Sequence, residues 1–117
     1  MNLIRVEPGA RYSQAVIVGE LVFLAGQVAA DPSQNLTNQM HQTLEAVDRA
    51  LLASGSRRDR LVSVTIFLRD IADYTAMNAV WDSWIVPEAP PARVTVEARL
   101  ALPEYRVEVQ AIAARLP

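Results

Sequence analysis

Residues 93–113 read RVTVEARLALPEYRVEVQAIA, and the period of this stretch sets the fold class. Val94, Val96, Ala98 and Leu100 alternate with Arg93, Thr95, Glu97 and Arg99, and further on Tyr105, Val107 and Val109 oppose Arg106, Glu108 and Gln110. A repeat of two sends successive side chains to opposite faces of an extended chain, so the stretch predicts two strands, Arg93 to Leu100 and Tyr105 to Ala113. Upstream, LVSVTIFL at 61–68 predicts another, with Val62, Val64, Ile66 and Leu68 on one side and Ser63 and Thr65 on the other. Its β-branched residues support that reading.

Between these strands the period changes. Tyr74, Met77, Trp81 and Trp84 recur at spacings of three, four and three, which predicts a helix capped by Asp73 and ended by Pro87, Pro90 and Pro91. Leu36, Met40, Leu44, Val47 and Leu51 mark a second helical face, with Asn35 as N-cap and Gly55 as the stop. Towards the N-terminus, Leu3 to Glu7, Ala15 to Val18 and Leu21 to Ala25 read as short strands, the last two joined by a Gly19-Glu20 turn. Three strands, a helix, a strand, a helix and two strands suit an α+β layer, a mixed sheet with two helices packed on one face. Two helices cover only one side of such a sheet. Tracts such as VIVGELVFLAG at 16–26 leave the other side apolar, which predicts a homo-oligomer.

Composition bounds the chemistry. At 117 residues, 51% hydrophobic and 21% charged, the chain reads as one folded domain over 1–117. Cysteine is absent, so disulfides, thiolate catalysis and sulfur-ligated zinc are excluded. The N-terminal MNLIRVEP lacks a basic start and an apolar run of about 7 to 15 residues, and no stretch approaches a membrane span. The expectation is a cytoplasmic protein with no membrane partner. Thirteen acidic against eleven basic residues set up no field for a polyanion, so nucleic acid is not expected as a partner. The cluster Arg57-Arg58-Asp59-Arg60 reads as a solvated turn.

Most catalytic constellations are missing. His41 is the only histidine and sits inside a helix, with no second histidine at the spacing of four that a helical metal site would use, so no metal is expected. Ser13 lies outside any nucleophile elbow, and Gly26 lacks the companions of a phosphate-cradling loop. What remains is Arg93 opening one C-terminal strand and Glu108 in the middle of the other. Two readings stay open. Opposite charges on neighbouring strands form a structural salt bridge, or the planar fork of the arginine grips a substrate carboxylate while the acid handles a proton or a water.

The tracts PPARVTVEARLALPEYRVEVQAIAARL at 90–116 and RYSQAVIVGELVFLAGQV at 11–28 together resemble the reactive-intermediate deaminase family, called RidA or YjgF-like and also endoribonuclease L-PSP-like. The P-A-R before a strand, then L-P, then an alternating V-E-V segment ending in A-I-A is the most specific part. The resemblance implies a cofactor-free homotrimer whose sheets face one another in a central barrel, with a small-molecule cleft between subunits. It implies an enamine/imine deaminase, hydrolysing 2-aminoacrylate or 2-iminopropionate to a 2-keto acid and ammonia. Carried over residue by residue, Arg93 binds the substrate carboxylate and Glu108 positions or activates water, while Tyr12, Gly26, Gln27, Asn78 and Thr95 match substrate-binding positions.

This chain departs from the family pattern at three places. Ala25-Gly26-Gln27 stands where a serine commonly precedes the glycine, Val94-Thr95 follows the arginine, and Gln110 replaces a second acid in the last strand. A lost side-chain hydrogen bond is worth about 0.5 to 1.5 kcal/mol, which retunes substrate choice more readily than it abolishes binding. The alternative function is a non-catalytic small-carboxylate binder or sensor using the same cleft. Ribonuclease activity is disfavoured by the acidic balance and the absence of a histidine pair.

Overall fold

A computed structural model describes residues 2–117. The elements are β1 (Leu3–Pro8), β2 (Ser13–Val18), β3 (Leu21–Leu24), α1 (Leu36–Ala53), β4 (Leu61–Leu68), α2 (Tyr74–Trp84), β5 (Ala92–Glu97) and β6 (Val107–Ala114), in the order expected. They form one six-stranded sheet ordered β1-β2-β3-β6-β4-β5. Only β4 and β5 run parallel, because α2 carries the chain over the sheet between them. The mixed sheet with two helices on one face is therefore observed.

Local chemistry places the helix ends. Asn35 Oδ1 accepts the Asn38 amide at 2.9 Å at the start of α1, and Gly55 takes φ +75° beyond its end, a conformation that costs a side-chain-bearing residue. The spacing of Leu36, Met40, Leu44, Val47 and Leu51 is the buried stripe of α1. At α2 the cap differs from expectation. Asp73 makes no side-chain cap, whereas Asp70 accepts the Ala72 amide at 2.9 Å and opens a short 3-10 turn at Ile71–Asp73 that leads into the helix. An aspartate two residues before a free amide reaches it through an Asx turn, and that position is held by Asp70.

The core lies between helices and sheet, where Ala15, Ile17, Val22, Leu24, Val64, Ile66, Val109 and Ala111 meet Met40, Leu44, Met77 and Trp81. The opposite face stays open, with Leu21, Phe23, Val62, Val94 and Val96 all exposed. One facing departs from expectation, and another that alternation left open is decided by register. A bulge between Leu61 and Ser63 makes Leu61 the buried residue and turns Val62 outwards, since one extra residue inverts a period-two pattern. In β5 the valines face away from the helices, because Arg93 is in register with Val64 and Thr95 with Ile66, both buried under the helix layer. The strand also ends at Glu97, earlier than the alternation to Leu100 predicts. Glu97 Oε1 there accepts the Ile71 amide at 3.0 Å.

Candidate functional site

The candidate residues separate into two half-sites. The first is built on α2 and β5. Arg93 Nη2 donates to the Tyr74 hydroxyl at 3.4 Å, and its guanidinium lies 5.1 Å from the Trp81 ring centre and 5.9 Å from that of Tyr74. Spacings of four and three place Tyr74, Asn78 and Trp81 on one helical face, so the helix offers the cation two aromatic rings and an amide. The polar Asn78 side chain, one helical turn on, followed by the charge of Arg93, holds the Tyr74 phenol below its ordinary pKa. Among the described residues the ion pairs are Arg57 with Asp59 and Arg58 with Asp48, so Arg93 has aromatic support and no carboxylate partner. Its fork is available to an anion. Thr95, two residues along the same face, has its Oγ1 shut off from solvent without a hydrogen-bond partner.

The second half-site surrounds Glu108. A cleft of about 440 Å³ is lined by Tyr12, Ala25, Gly26, Val28, Ala101, Leu102, Tyr105 and Glu108. Burial raises the Glu108 pKa above the usual glutamate value, because an apolar cleft solvates the carboxylate poorly. Gly26 permits a close approach. A Cβ on it would lie 2.9 Å from the Glu108 carboxyl carbon and closer still to one of its oxygens. The backbone of Gln27 pairs with Val109, its amide donating to the Val109 carbonyl at 2.8 Å and its carbonyl accepting at 3.0 Å, which holds Gly26 beside the acid. On the far side, the buried Gln39 donates to the Glu104 carbonyl at 3.0 Å and accepts the Arg106 amide at 2.9 Å, fixing the segment that carries Tyr105.

Arg93 and Glu108 do not meet within one chain. Strand β4 lies between β5 and β6, so these strands are not the neighbours that the alternation suggested. Glu108 is in register with Phe67 and Arg93 with Val64, and residues of opposite parity on β4 point to opposite faces. The intrachain salt bridge is therefore absent. Gln27 also stands apart from the Glu108 cleft: its Nε2 donates to Gln14 Oε1 at 3.3 Å and to the Ala25 carbonyl at 3.0 Å, and it lines a separate cavity with Glu7 and Arg49. His41 lies on the exposed side of α1. Leu102 and Val28 were missed because a loop carries no period, and Tyr105, read as the first residue of the last strand, precedes that strand, which starts at Val107. Tyr74 and Trp81 were read as a packing stripe, although their spacing from Asn78 was visible.

Among the described residues no group of three or more His, Asp or Glu side chains converges as a metal site, and no helix is long and apolar enough to cross a membrane.

A sheet of this order, covered by helices on one side and carrying these two half-sites, defines a class that comparison with known proteins makes specific. The sequence model of the Endoribonuclease L-PSP family matches residues 4–115. A RutC family protein of Haemophilus influenzae is 39% identical over 114 residues, covering 97% of this chain and 98% of its own. Another from Haemophilus ducreyi is 37% identical over 110 residues, with 94% of each chain covered. The crystal structure of NMB1025, a YjgF family member from Neisseria meningitidis, superposes with a TM-score of 0.97 at 38% identity, covering 100% of this chain and 98% of that one. The chain belongs to the RidA/YjgF-like family.

Proposed function

We propose that the protein is a 2-imino/2-enamino acid deaminase, working as a homotrimer in which Arg93 of one copy faces Glu108 of the next. The observation that carries this reading is the division of the site. A guanidinium without an acidic partner and a carboxyl in an apolar cleft lie on opposite faces of one sheet, so only a second copy brings them together. The uncovered sheet face, with Phe23, Val62, Val94 and Val96, supports association.

In the shared cleft the fork of Arg93 pairs with the substrate carboxylate through two N–H donors. The 2-iminium carbon then lies near Glu108. The Glu108 carboxylate takes a proton from water as the water oxygen bonds to C2 and the C=N π electrons move to nitrogen. The same carboxyl returns that proton to the nitrogen, and the C–N bond breaks with its electron pair leaving on ammonia. The carboxylate takes the C2 hydroxyl proton as C2 becomes a ketone and passes it to the departing ammonia. Water is consumed, and 2-keto acid and ammonia are released. A raised pKa makes Glu108 a stronger base than an ordinary glutamate near neutral pH. One charge-assisted pair contributes roughly 1.5 to 3 kcal/mol, whereas millimolar affinity needs about 4.1, so the cleft walls supply the remainder.

The deciding experiment generates 2-iminopropionate from L-alanine with an amino-acid oxidase and follows pyruvate release. Acceleration by the parent chain, lost in Arg93→Ala while the oligomer persists, is expected. Binding of a keto acid without acceleration of any imine would instead identify a carboxylate sensor.

A further inference from the structure

We infer that the natural substrate carries a branched or aromatic apolar side chain, selected by Leu102 and Val28; the inference rests on the deaminase reading for its reaction. Carboxylate and imine carbon are adjacent atoms, so a ligand held by Arg93 and attacked at Glu108 has its first two carbons placed. Its third carbon onwards must lie against whatever flanks Glu108. Those flanks include Ala25, Val28, Leu102, Tyr105 and Tyr12, whose side chains present mainly apolar surface beside the acid.

The chemistry of these walls discriminates. Among the described residues of one copy, Glu108 is the only charged one lining the cleft, and it repels an acidic side chain. As the group that must take a proton from water, it is not free to neutralise a basic one, and the neighbouring copy's Arg93 is taken up by the substrate carboxylate. A strongly polar side chain would lose water and regain little, since the remaining side-chain donors are the two phenols of Tyr12 and Tyr105. Ala25 contributes a methyl group to the wall and no side-chain hydrogen-bonding atom. Leu102 is 47% exposed in one copy and lines the cleft beside Glu108, so it offers apolar surface to a ligand there. Gln39, tied to the Glu104 carbonyl and the Arg106 amide, holds this wall from behind, and a fixed wall discriminates shape better than a mobile one.

The test compares imines generated from L-leucine and L-alanine by the same oxidase, measured as kcat/KM on the intact oligomer. Each added methylene in an apolar pocket is worth about tenfold or more, so the leucine-derived imine is expected to be preferred by at least about tenfold. Leu102→Asn, at a half-exposed loop position, is expected to shrink that ratio. Any preference of threefold or more that shrinks in Leu102→Asn supports the inference. A smaller preference, or one that survives the substitution, overturns it. If neither imine is accelerated, the deaminase reading fails by itself, and the inference is decided by calorimetric binding of 4-methyl-2-oxopentanoate against pyruvate. The larger keto acid must then bind more tightly to the parent chain, and lose that advantage in Leu102→Asn.

Discussion

Arg93 and Glu108 occupy opposite faces of one sheet, with β4 between their strands, so the two charges never form an ion pair within a chain. A functional site that uses both is shared between copies.

Sharing has a countable consequence. Arg93→Ala and Glu108→Gln are each expected to be inactive alone. When equal amounts are dissociated and reassembled together, each site draws one residue from each of two copies, and about a quarter of the sites regain both groups. Recovery of roughly that fraction of parental activity is the expected result, and a mixture as inactive as its components would place the site within one chain.

Gly26→Ala should separate activity from folding. The added Cβ meets the end of the Glu108 side chain, which can swing aside, so the fold survives while the carboxyl moves. A displacement near 1 Å costs on the order of a hundredfold in rate. Circular dichroism and thermal unfolding should match the parent while kcat falls by about that factor.

Tyr74→Phe retains the ring under Arg93 and removes the hydroxyl that accepts from it. A rise of about two- to tenfold in KM for the carboxylate substrate is expected, with kcat changed less. The phenol pKa is lowered by Asn78 and then by Arg93, so in the parent a phenolate forms beside the guanidinium below the ordinary value of about 10 and competes with the substrate for it. Activity should therefore decline on the alkaline side earlier than in Tyr74→Phe. Superimposable alkaline limbs would remove Tyr74 from the anion site.

Glu108→Gln addresses stability as well as rate. Burial raises the carboxyl pKa in the folded chain, so the folded state binds this proton more tightly than the unfolded state does. Stability is lost as pH rises from the unfolded-state pKa to the higher folded one and stays reduced above it. The cost vanishes below about pH 4, where the carboxyl is protonated in both states. The variant should be inactive yet unfold at a higher temperature than the parent at pH 7.5, with the gap closing in acid. A lower midpoint at pH 7.5 would show that Glu108 serves the fold. In the parent, activity should fall with acidification at a pH above that of an ordinary glutamate.

The periods of both helices and of the last strand were legible in the residues alone. The stripe from Leu36 to Leu51 could bury only as a helix, and the V-E-V segment at 107–109 only as a strand, since each pattern is set by local geometry. Arg93 and Glu108 stood out because no histidine pair, cysteine or phosphate loop competes with them. Tertiary structure alone decided which way these residues face. Alternation leaves two choices for each strand, and the choice is made by long-range register: Val64 beside Arg93, Phe67 beside Glu108, and a bulge that reverses Val62. The loop wall of Leu102 and Tyr105 was likewise settled by contacts distant in sequence, with Gln39 fastening from α1 a segment more than sixty residues away.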